Sequence, residues 1–158
     1  MAVGYSAGTT ETVQLLLCQK LAREAEIRLR QPSDFDKAIA VSMMHDAVEL
    51  LLWTGCKEHN AKVADRAPFE DILNALASKL QSPLPLRAKL ADLNKARVNF
   101  KHYGLLPHAL DAVKLVGYGQ AFMETAVPLL GLDVAGVSRI HLIDAVPVRE
   151  HCSPRRRR

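Results

Sequence analysis

Aromatic residues make up only 5% of this 158-residue chain. Strands draw on aromatic and β-branched side chains, whereas the Leu and Ala that dominate here favour helices. No alternating apolar–polar stretch runs for more than a few residues, so a β-sheet is not expected. No run approaches the roughly 18 apolar residues of a membrane span. The N-terminal stretch has no basic segment followed by an apolar run and a small-residue cleavage site, so a secretory leader is not expected.

Cysteine is scarce. Cys18, Cys56 and Cys152 are odd in number and widely spaced, which implies no disulfide framework. Cys56 and His59 have a C-x-x-H spacing, but no second ligand pair follows, so a zinc site is not expected. The sequence also has no Gly-rich phosphate loop, no serine nucleophile elbow and no clustered metal ligands. A cytoplasmic protein with reduced thiols, no metal and no cofactor is the expectation.

Net charge is missing once the C terminus is set aside. The formal net charge is +4, and the four arginines at 155–158 account for all of it. Totals therefore establish no basic nucleic-acid-binding face. The arginine run is a solvated chain end or, alternatively, a contact for phosphates.

What is present is helical punctuation. Thr9 or Thr10 offers a cap for a first helix that passes through Val13, Leu16, Leu17 and Leu21 to about Arg30, with Glu11 in its first turn and Pro32 as its stop. Ser33-x-x-Asp36 resembles a capping box for a second helix reaching about Cys56. That helix is apolar almost all round (Phe35, Ile39, Val41, Met44, Val48, Leu51, Leu52), which predicts a central, buried position. Pro68 opens a third, with Phe69, Ile72, Leu73, Leu76, Ala77 and Leu80 at clean helical spacing. The prolines of Ser82-Pro83-Leu84-Pro85 break it.

A fourth helix is expected from Pro85 to a Gly104 cap, with Leu86, Leu90, Leu93 and Phe100 as its buried stripe. A fifth is expected from Pro107 to about Pro128, with Gly117 and Gly119 suggesting a close helix approach. A short last helix is expected over 138–146. The fold class is all-α, an antiparallel bundle of five to six helices. Residues 1–8 are expected to be a loose lead-in, 9–146 the bundle and 147–158 a disordered basic tail.

Two anomalies mark a site. Arg97 falls on the apolar stripe of the fourth helix, where a guanidinium needs a partner, solvent or a cleft. His102 follows about 140° further round, in the last turn, and Asn99 is its i,i+3 neighbour. A permanent cation, an amide and an imidazole at one helix end can bind a phosphate and move a proton. An arginine on a stripe also often snorkels, and a helix-terminal histidine often only complements the dipole. On the second helix, His45, Asp46 and Glu49 interrupt an apolar surface, and Asp46 or Glu49 is the expected partner of Arg97. His59, His108 and His141 are assigned no role.

The segment Leu93-Asn94-Lys95-Ala96-Arg97-Val98-Asn99-Phe100-Lys101-His102-Tyr103-Gly104, with Arg-x4-His near a helix end, resembles the HEPN superfamily (higher eukaryotes and prokaryotes nucleotide-binding). The diagnostic motif covers 97–102, and the helical pattern matches more loosely over about 10–131. The family usually has a polar residue just after the arginine; here Val98 stands there and Asn99 comes one later. Some family toxins carry a modifiable tyrosine two residues after the histidine, whereas Tyr103 follows His102 directly. The resemblance implies a helical homodimer that juxtaposes two motif helices. It also implies a metal-independent endoribonuclease of toxin, defence or RNA-processing type, with RNA as substrate and an antitoxin or regulatory partner. His102 would be the general acid or base, Arg97 the transition-state cation and Asn99 the orienting group, with Asp46 and Glu49 in support. The alternatives are a non-catalytic helical module for dimerisation or for binding a partner or nucleotide, and a nucleic-acid binder driven by the arginine tail.

Overall fold

The structure is a computed structural model and describes residues 7–132. Among these residues five helices follow one another: α1 (Ala7–Leu29), α2 (Asp34–Glu58), α3 (Phe69–Leu80), α4 (Arg87–Tyr103) and α5 (Ala109–Leu129). Among the described residues there is no strand, and no helix is long and apolar enough to cross a membrane. The expected helix over 138–146, the expected tail at 147–158 and most of the expected lead-in lie outside the described residues.

α2 is the hub, as its all-round apolarity predicts: each of the other four helices packs on it. Val41, Met44, Val48, Leu51 and Leu52 are fully or almost fully buried along it. Two glycines set how closely its neighbours come. A Cβ on Gly119 of α5 would lie 2.7 Å from Met44 Sδ, whereas one on Gly117 would meet nothing within 4 Å. The close approach inferred from this glycine pair therefore belongs to Gly119 alone. On α2 itself, a Cβ on Gly55 would lie 2.9 Å from Leu130 Cδ1.

The caps explain the boundaries, and several differ from expectation. α1 begins at Ala7, so Thr9 and Thr10 lie within the helix and Glu11 falls outside its first turn. Its buried side is Leu15, Cys18 and Ala25, while Val13 and Leu17 are exposed. Ser33 does cap α2, its hydroxyl accepting from the Phe35 N–H at 3.2 Å. Asp36 does not close the box, because its carboxylate is taken by Arg28 of α1 at 2.8 Å. That ion pair and the Lys37 ammonium, which donates to the Gln31 and Pro32 carbonyls, hold the α1–α2 turn.

α4 starts at Arg87 rather than Pro85. Leu86 occupies the left-handed region at φ 57° before the helix, and is exposed, while Leu84 is buried instead. Leu90 and Leu93 are buried as expected; Phe100 is only half-buried, edge-on against exposed Phe35 with ring centroids 5.9 Å apart. Gly104, at φ 65°, ends α4 as the sequence suggests, its N–H reaching the Phe100 carbonyl. α3 keeps its clean spacing, with Phe69, Ile72, Leu73 and Leu76 buried and Leu80 half-buried.

Candidate functional site

The seam between α2 and α4 gathers most of the anomalous polar residues. Leu90 and Leu93 seat α4 on the core, and one turn later Arg97 projects from the same stripe toward α2. Its Nε–H donates to Asp46 Oδ1 at 3.0 Å, so the partner expected for this cation is Asp46 rather than Glu49. Lys101, one turn further on, brings its ammonium to 3.9 Å from Asp46 Oδ2. Arg97 is 23% exposed, and its two terminal amino groups donate no hydrogen bond within the described residues.

His45 is the buried member, only 1% exposed. Its Nε2 lies 3.0 Å from Asn94 Oδ1 of α4, and its ring packs against Phe69 of α3 with centroids 4.7 Å apart. Nδ1 points instead to the Asp46 and Glu49 carboxylates at 3.5 and 3.8 Å and makes no hydrogen bond. The potential ligand atoms of His45, Asp46 and Glu49 all lie within 4.8 Å of one another. The sequence shows these three as polar interruptions of α2; only the fold makes them a cluster of metal-ligand type.

Partial burial pushes the Asp46 carboxyl up, but the His45 ring, Arg97 and Lys101 together outweigh it. The net result holds its pKa below the ordinary carboxylate value of 3.8. Asp46 is therefore a carboxylate at neutral pH. The thiols behave oppositely: burial pushes Cys18 up to about 12 and Cys56 up to about 11, which removes both as nucleophiles.

The other two motif residues do not join this cluster. Asn99 lines a groove of roughly 230 Å³ between α4 and α5, together with Asp92, Lys95, Leu106 and Asp111. His102 is exposed in the last turn and shares no hydrogen bond or ion pair with Arg97 or Asn99; among the described residues its ring meets that of Tyr103, centroids 6.4 Å apart. Glu49 stands 30% exposed beside His45. Immediately after His102, Tyr103, Leu105, Leu106, Leu110 and Val113 are all at least half exposed.

Two histidines left without a role at the sequence level have structural ones. His108 caps α5, its Nδ1 accepting from the Leu110 N–H at 3.4 Å, and His59 Nε2 bonds the Leu130 carbonyl at 3.1 Å. His141 lies outside the described residues. His45 and Asn94 sit mid-helix, 49 positions apart, and no spacing within either helix signals their pairing. Comparison with protein-family models, curated proteins and solved structures finds no match for this chain.

Proposed function

We propose that the chain is a homodimeric, metal-independent endoribonuclease of the HEPN type, with Arg97 and His102 as its catalytic residues. The observation that carries the reading is the setting of Arg97. Asp46 holds the guanidinium at Nε only, leaving both terminal amino groups for a phosphate at the edge of the α2–α4 seam. A guanidinium oriented by a carboxylate and open at its far side suits the charge that develops on a phosphorane-like transition state. His102, exposed in the last turn and without a hydrogen-bond partner among the described residues, suits transfer of the ribose 2′-hydroxyl proton. Asn99, on the α4–α5 groove side, would orient RNA rather than the His102 ring.

Dimerisation completes the proposal. A single half-site of one arginine and one histidine is small, and the exposed apolar run from Tyr103 to Val113 adjoins His102. A second copy packed on that run about a two-fold axis would bring two motif ends together. A toxin or defence role, with an antitoxin or other regulator as partner, follows from the same resemblance.

A second reading, a non-catalytic dimerisation or partner-binding module, draws on the same apolar run and on the lack of any hydrogen bond between His102 and the other motif residues. One assay separates the two: purified protein incubated with mixed cellular RNA in EDTA, beside a His102→Ala variant of unchanged helical signal. The enzyme cuts RNA to 2′,3′-cyclic phosphate ends, spares DNA, and loses this on His102→Ala. Undiminished cleavage by that variant excludes the mechanism, and an inert wild-type protein favours the module.

A further inference from the structure

We infer that His45, Asp46 and Glu49 form a binding site for a divalent metal ion of the zinc class, an inference that goes beyond the ribonuclease reading and does not depend on it. The argument starts from the buried imidazole. Asn94 Oδ1 stands 3.0 Å from His45 Nε2, and a carbonyl oxygen can only accept, so Nε2 carries the proton. The other ring nitrogen, Nδ1, makes no hydrogen bond and is directed at two carboxylates. A ring nitrogen facing two anions calls for a cation between them, a proton or a metal ion, and the two carboxylates beside it complete a ligand set for the metal.

The geometry fits such a cation. Oxygen and nitrogen ligands of a tetrahedral zinc ion at about 2.1 Å stand about 3.4 Å from each other. His45 Nδ1 lies 3.5 Å from Asp46 Oδ1 and 3.8 Å from Glu49 Oε2, and the whole set of ligand atoms falls within 4.8 Å. Small side-chain rotations close the remainder. One imidazole nitrogen with two carboxylates suits zinc better than magnesium, which prefers six oxygens.

The outer contacts also match. A metal-bound histidine typically donates its other ring N–H to a carbonyl or carboxylate, and Asn94 provides that acceptor here. Asp46 and Glu49 are 38% and 30% exposed, so the carboxylate side of the cluster opens to solvent. Two cations on α4 oppose it. Arg97 donates to Asp46 Oδ1 and Lys101 stands 3.9 Å from Oδ2, so metal and guanidinium compete for the same carboxylate.

The test is calorimetric titration of ZnCl2 into chelator-stripped full-length protein, with nitrogen NMR of the histidine rings. The expected result is one saturable ion per chain, with the His45 Nδ1 resonance moving to a metal-ligated position. Glu49→Gln and Asp46→Asn should each weaken binding about tenfold or more, and Arg97→Gln should strengthen it by freeing Asp46. MgCl2 should not compete. Both carboxylate variants change partly exposed side chains, and an unchanged helical spectrum verifies their folds. No saturable binding below about 1 mM ZnCl2 overturns the site. An unmoved His45 Nδ1 resonance overturns it too, as does equal affinity in both carboxylate variants. The cleavage assay is run in EDTA and this one without RNA, so either can fail while the other stands.

Discussion

Met44 of α2 occupies the space that a side chain on Gly119 of α5 would need, its Sδ 2.7 Å from where that Cβ would lie. Met44 is completely buried, so it has little freedom to retreat. Gly119→Ala should destabilise the protein by about 1–3 kcal/mol, the usual cost of overpacking a core. Gly117→Ala, two residues away with open space around its Cβ, should instead stabilise by about 0.5–1 kcal/mol through helix propensity. Urea denaturation of the two variants checks the contrast; equal effects would mean that α5 does not approach α2 at Gly119.

Leu93 and Leu86 provide a second contrast. Leu93 is fully buried and Leu86 is 37% exposed, although both fall on the stripe expected from spacing. Leu93→Ala should cost about 2–5 kcal/mol, and Leu86→Ala less than about 1 kcal/mol. A reversed order in chemical denaturation would return Leu86 to the core.

These contrasts indicate how much was legible in the sequence. The punctuation carried the element order: Ser33, Pro68 and Gly104 act locally, and their effects need no knowledge of the fold. The centrality of α2 was legible because a helix apolar on every side has only one place to go. Burial on α1 was not, since leucines at 15, 16, 17 and 21 fit more than one face and the choice of Leu15 and Cys18 is made by α2. Asp36 shows the same limit, being claimed by Arg28 rather than by its own helix. At the site, Arg97 was conspicuous as a charge on an apolar stripe, and a carboxylate on α2 was its foreseeable partner. The His45–Asn94 bond joins residues 49 apart, and helical spacing within either helix carries no trace of it.

Acid should expose the role of Asp46. Its folded-state pKa lies below the ordinary value of 3.8, so its contribution is complete above that value and is lost as the pH falls through the lower folded value. Stability should therefore decline below about pH 4, and Asp46→Asn should flatten that part of the curve. Because the carboxylate is more than a third exposed, its loss at neutral pH should cost no more than about 1 kcal/mol. Denaturant midpoints measured from pH 2 to pH 7 in both proteins decide it, and superimposable acid limbs would remove Asp46 from the account.

Arg97→Ala should lower RNA cleavage by at least about a hundredfold, equivalent to about 2.7 kcal/mol of transition-state stabilisation. Asp46→Asn should have a smaller effect, because it loosens the guanidinium without removing it. Single-turnover rates on one RNA would rank the two, and an Arg97→Ala enzyme as fast as wild type would end the proposed role.

The proposed dimer should be separable from the fold. Leu110 is 67% exposed, so Leu110→Glu should leave the helical spectrum intact while converting a dimer to a monomer in light scattering. A wild-type protein that is monomeric at micromolar concentration would discard this assembly.

The hub position of α2 has a further consequence, for a chain still being made. Its apolar surface is covered on one side by α1, which is synthesised first, but α5 begins only at Ala109, about fifty residues after α2 ends at Glu58. At a ribosomal pace of about 5–20 residues per second, the flank of α2 bearing Met44 waits about 3–10 seconds for its last cover. In that interval the nascent α1–α2 hairpin lacks the cover that α5 gives Met44 and Val48, so aggregation during biosynthesis should depend on how soon α5 arrives as well as on the stability of the finished bundle.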